Sequence, residues 1–146
     1  MILDERTEFC DATALTTGAT GTKNIGDIID LTVPHDLGQR QAYLVIQVTT
    51  AIVGTSSTVQ FQLVSDSTST ISTTTQTIHH ISMAIPEATL VAGYQMVIPL
   101  PSESPAYERY LALQTVIGVA NLSAGAINAF LTLDPNGNKA YADAVN

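Results

Sequence analysis

From Leu44 to Thr49 the chain alternates, with Leu44, Ile46 and Val48 on one side of an extended backbone and Val45, Gln47 and Thr49 on the other. Successive side chains of a strand point to opposite faces, so this phase predicts a strand. Val59, Phe61 and Leu63 alternate with Gln60 and Gln62 in the cleanest such run. Between the two, Ile52 to Thr58 carries Gly54 and small hydroxyl residues, the pattern of a hairpin loop. A strand is expected from about Gln76 to Ile85, with Ile81, Met83 and Ile85 on one face. Another is expected where Tyr94, Met96, Ile98 and Leu100 share a face. Pro99 and Pro101 terminate that run, and because proline cannot donate to a ladder, Pro99 is expected at an edge or strand end. Arg109 to Ile117 and Ala126 to Leu133 read as the last two strands, Asn24 to Thr32 as a less cleanly phased one, and Glu8 to Ala12 as a short one.

This makes an all-β chain of roughly eight short strands, the pattern of an antiparallel β-sandwich or jelly roll. No amphipathic helix of ordinary length is visible, although Ala88 to Ala92 suits a single helical turn. The stretch IPEATLVAGYQMVIPLP, Ile85 to Pro101, reads as a corner. One strand ends at Ile85-Pro86, Glu87 to Ala92 crosses over, and Gly93 permits a reversal that a residue with a β-carbon resists. Asp66 to Thr75 is a Ser/Thr tract interrupted by Ile71, expected as an exposed, mobile loop. No repeat or linker divides the 146 residues, so residues 1–146 are expected to form a single domain.

Composition sharpens the picture. The chain is 45% hydrophobic but only 12% charged, about half the usual charged share. Ser and Thr fill the difference and, with Val and Ile, suit pleated sheets with neutral, hydroxylated outer faces. The formal net charge is −8, with Arg6, Lys23, Arg40, Arg109 and Lys139 the only cations. Five scattered cations make no basic stripe, so neither nucleic acid nor an acidic membrane surface is expected as a partner. Cys10 is the single cysteine, which excludes an internal disulfide. The start lacks the apolar core of a signal peptide and no run approaches a membrane span, so a soluble protein made in the cytosol is expected. In that setting the Asn121-Leu122-Ser123 triplet carries no meaning as a glycosylation site.

Chemical constellations are weak. His79 and His80 are adjacent on a strand and therefore face opposite ways, which argues against one metal held by both. No G-x-S-x-G elbow frames a nucleophilic serine. Gly18 to Lys23 has Gly-Thr-Lys where a phosphate loop needs Gly-Lys-Ser/Thr, and reads as a small-residue turn. Asp134 to Asn138 resembles part of a calcium loop, but the glycine comes too early and Val145 stands where a glutamate is needed. Asn136-Gly137 is better read as a tight turn. Glu103 and Glu108 make a glycosidase pair only if aromatic walls hold a sugar. The chain has no Trp, and only Tyr107 and Tyr141 are expected to be exposed. No catalytic residue, cofactor site or metal site is therefore expected.

Several pieces, in order along nearly the whole chain, resemble the capsid cement, or decoration, proteins of short-tailed bacteriophages. They are the opening MILDERTEFCDATA, Ile29-Asp30-Leu31, Ala42 to Val48, the corner from Ile85 to Pro101, Glu108 to Leu111, and Leu131 to Asp134. The sequence departs from that pattern between Asp66 and Gln76. The resemblance implies a jelly-roll-like fold and no enzymatic activity. It also implies self-association, with a dimer favoured over a trimer, and attachment to the major capsid protein on the outer surface of the virion head. Contact arms are expected at residues 1–13 and 135–146, with Met1, Ile2, Leu3, Phe9 and Tyr141 as partner-binding residues. A glycan-binding β-sandwich is the alternative, and an unrecognised hydrolase the remote one.

Overall fold

Strands form where the apolar alternation lies, and nine are present among the described residues. The computed structural model describes residues 5–15, 20–34, 42–101 and 105–135. After a 3₁₀ turn at Glu5–Thr7 come β1 (Glu8–Ala14), β2 (Gly21–Asp30), β3 (Tyr43–Gly54) and β4 (Thr58–Asp66). They are followed by β5 (Thr77–Ile81), β6 (Ile85–Pro86), a 3₁₀ turn at Glu87–Thr89, β7 (Gln95–Pro99), β8 (Tyr110–Gly118) and β9 (Leu122–Thr132). Sheet A has the order β1-β9-β3-β7 and sheet B the order β2-β8-β4-β5, with the two-residue β6 also pairing β4. All pairings are antiparallel. This is the strand order of a jelly roll, in which consecutive strands pass from one sheet to the other.

That order corrects the hairpin expected at Ile52 to Thr58. β3 lies in sheet A and β4 in sheet B, so Thr55 to Ser57 turn a corner of the sandwich. The strand expected from Gln76 to Ile85 is interrupted at 82–84. The Ser82 hydroxyl accepts the Phe61 N–H at 2.9 Å, while the Ser82 N–H reaches the Phe61 carbonyl at 2.9 Å. This bracket turns the chain outward, so Met83 is 80% exposed while Ile85 returns to the core.

The core lies between the sheets. Leu44, Ile46 and Val48 of β3 meet Val59, Phe61 and Leu63 of β4, with Leu111, Leu113 and Ile117 of β8 and Ile127 and Ala129 of β9. Burying one such large side chain contributes roughly 1.5–3 kcal/mol. β1 closes over β2 at Gly26, whose φ is +71° and where an added β-carbon would collide with the Phe9 carbonyl oxygen and sit 2.7 Å from the Cys10 β-carbon. A second, smaller cluster of Val64, Ile71 and Ala112, with Tyr110 against it, sits on the outer face of sheet B.

The Ser/Thr tract is exposed over 67–70 and 73–75, as expected, but it is tied to the sheet through Asp66, Ile71 and Ser72. Asp66 accepts the N–H groups of Thr68 and Ser72, both at 3.1 Å, and Ile71 is pressed onto the sheet. Beneath it Gln114 donates to Asn24 Oδ1 and to the Ser72 carbonyl, and accepts from Gln76. The amides of this face are fixed by one another and by the loop above them.

Candidate functional site

The corner from Ile85 to Pro101 builds one side of an open groove. Leu90 plugs the sandwich, fully buried, and its carbonyl accepts the Ile52 N–H at 3.0 Å. Gly93, at φ +89°, makes the reversal. Its N–H reaches the Val48 carbonyl, and the Val48 N–H reaches the Tyr94 carbonyl. The chain thereby enters β7 in register with β3, Gln95 opposite Gln47 and Pro99 opposite Tyr43. β7 is an outer strand of sheet A, as Pro99 requires, and β5 with β6 forms the facing margin of sheet B. Between these margins lies a groove of about 510 Å³, lined mainly by Met83, Ile85, Tyr94, Met96 and Ile98, with His80 and Ser82 on its wall.

The groove offers apolar surface and, among the described residues, an unpaired strand edge. Ser82 is committed to Phe61 and donates to the Met83 carbonyl. Burial lowers the pKa of His80 below the usual histidine range, so it is neutral near pH 7. Among the described residues of the wall no carboxylate stands beside His80. An extended apolar segment lying along β7 fits this arrangement, because a strand edge supplies main-chain hydrogen bonds while pockets take alternate side chains.

A Ser–His contact does exist elsewhere, and the sequence reading missed it. Ser65 Oγ lies 2.7 Å from His79 Nε2 and accepts the Glu108 N–H at 3.1 Å. His79 stacks on Tyr107, with ring centroids 3.9 Å apart. Burial lowers the His79 pKa, opposed by the charge of Glu108 and by a hydrogen bond to Pro105. Ser65 is fully buried, so no substrate reaches its hydroxyl. The cluster fastens the segment before β8 onto β4 and β5, aided by the Thr77 hydroxyl donating to Glu108 at 2.7 Å.

Expected contact residues fare unevenly. Met1, Ile2, Leu3 and Tyr141 lie outside the described residues. Phe9 is a correction: it is 0% exposed within the core cluster, because Glu8 to Ala14 pair with β9 as part of sheet A. The stretch from Glu8 to Thr13 is sheet, and no free arm. Tyr107 is likewise buried, its hydroxyl donating to the Pro101 carbonyl at 3.0 Å, and it offers no ring face to a sugar. The opposite faces expected for His79 and His80 are a correction: the register shift of β5 between Ile78 and His80 turns both inward, His79 onto Ser65 and Tyr107 and His80 into the groove. No metal-binding cluster occurs among the described residues. Gly21 to Lys23 are strand residues of β2.

No helix among the described residues is long and apolar enough to cross a membrane. The sequence profile of a family described as Bbp16, which is phage-associated, matches residues 9–131, from the first strand to the last. No curated protein sequence matches the chain.

Proposed function

Because the chain belongs to the phage-associated Bbp16 family, we propose that it is a non-enzymatic structural protein of the virion. It binds the outer surface of the phage head and stabilises contacts between major capsid protein subunits, acting as a homo-oligomer. The observation that carries this reading is the apolar groove beside β7, an outer strand among the described residues, in a fold where Ser82, Ser65 and His79 are committed to internal hydrogen bonds. Such a surface holds a partner and leaves it chemically unchanged. The net charge of −8 fits a position outside the shell, away from the genome. Several weak contacts on one rigid body reinforce each other, because each raises the effective concentration for the next.

The test is co-sedimentation of the purified protein with empty heads of its phage. Binding is expected, weakened at least tenfold by Met96→Asp, which places a charge in the groove. Heads that pellet without the protein would refute the proposal. A glycan array is expected to show no ligand.

A further inference from the structure

Charge is segregated along the strand direction. At one end Asp30 and Asp66 both pair with Tyr110, and Tyr43 pairs with Thr132. Asp30, Asp66, Glu108, Arg109 and Asp134 gather there. Arg109 grips Asp30 through two hydrogen bonds of 2.8 Å. At the other end Gly54 pairs with Leu122, and Thr58 pairs with both Gly118 and Pro86. The segments there, Ile52 to Thr58, Ala84 to Tyr94 and Ile117 to Ala124, hold a single formally charged residue, Glu87. They expose Val53 at 48%, Val91 at 54% and Val119 at 77%.

This uncharged end is fixed in shape. Ser57, 1% exposed, ties its loops together. Its hydroxyl donates to the Ala120 carbonyl at 2.9 Å, and its own carbonyl accepts the Glu87 N–H at 3.0 Å. The Thr20 N–H binds Asn121 Oδ1 at 3.0 Å. Val119 sits at φ +70° in a three-residue turn closed by the Ala120 N–H on the Gly118 carbonyl. A β-branched residue in that conformation is strained, and such strain clusters at functional surfaces. Glycine or asparagine would suit this turn better. The chain instead holds an apolar side chain out into solvent.

We propose that this end is the surface through which the chain associates with a second copy of itself. Charge selects the occupant. A partner of opposite sign gains by meeting carboxylates, and most of the described ones lie toward the other end, Glu87 alone standing here. A partner that also carries −8 is repelled there and meets least repulsion at Val53, Val91 and Val119. A lipid surface is a poor match, since these segments contain no Lys, Arg or Trp to seat in headgroups. The proposal gives the self-contact of the preceding section its location, and rests on that section only for its biological purpose.

Sedimentation equilibrium of the full chain tests it, across protein concentration and at low and high salt. The wild type is expected to show a mass above one chain. Val119→Asp and Val91→Asp are each expected to raise the dissociation constant at least tenfold, whereas Val33→Asp, at the charged end, leaves it unchanged. Val119→Gly keeps the turn, removes the side chain and is expected to weaken association with no loss of fold by circular dichroism. A wild type with the mass of one chain throughout overturns the proposal, as does undiminished association in both Val119 variants. Head binding measured on the same proteins separates the two readings: a chain that associates yet ignores heads removes the shell role and leaves this interface standing.

Discussion

His79 shows how one residue couples the fold to pH. Burial disfavours its protonated form in the folded protein, against the pull of Glu108, and burial alone does the same to His80. The unfolded chain takes up these protons freely near ~6.5. Acid therefore favours unfolding: stability is complete above that range and falls as pH drops through it toward the lower folded values. Asp30, lowered chiefly by Arg109, and Asp66, lowered chiefly by the Ser72 N–H, act in a later window. Their contribution is intact above the ordinary carboxylate range near ~3.9 and is lost as the pH falls further. Melting temperature is expected to decline from pH 7 to pH 5, and a His79→Gln, His80→Gln double variant to flatten that decline. Val119 poses the opposite problem. Left-handed strain on a non-glycine residue costs about 1–3 kcal/mol, so Val119→Gly is expected to raise the stability of the single chain by about 1 kcal/mol, read by urea unfolding. A residue that costs stability while sticking into solvent is better explained by an interface than by folding.

At the scale of elements, the 66–76 cover behaves as part of the sheet beneath it. Removing the Ile71 side chain deletes the apolar centre of the small outer cluster, and Ile71→Ala is expected to cost about 2–3 kcal/mol in urea unfolding. Gly26→Ala is expected to cost more, since its β-carbon meets backbone at a positive φ. The strands themselves were legible, because Leu44, Ile46 and Val48, and Val59, Phe61 and Leu63, recur at every second position and face the core between the sheets, even though Val45 and Gln47 between them are buried as well. Their assignment to sheets was not. Three residues between β3 and β4 serve a hairpin or a sandwich corner equally well, and only packing decides. Ile71, alone in a hydroxyl-rich run, was a signal that polarity concealed. The groove was half legible: the Ile85 to Pro101 corner was read correctly, but its opposite wall depends on where Met83 turns out. Ser65 and His79 were invisible as a pair, because their contact follows from the β4–β5 register, which shifts between Leu63 and Val64.

For the molecule as a whole, Cys10 reports on integrity. Burial pushes its thiol up to about 12, so labelling by a thiol reagent is expected only as fast as the sandwich opens, and with the same denaturant dependence as global unfolding. The jelly-roll order also has a temporal consequence. Apart from β4, β5 and β6, no two successive strands share a sheet, so most ladders must wait for a partner made much earlier or later on the ribosome. Closing such distant pairings costs entropy before any contact rewards it. Stopped-flow refolding is expected on the millisecond-to-second scale typical of such topologies. During that interval unpaired edges are open to neighbouring nascent copies, and the surplus of thirteen acidic over five basic side chains supplies the mutual repulsion that keeps half-made chains apart until the strands have closed.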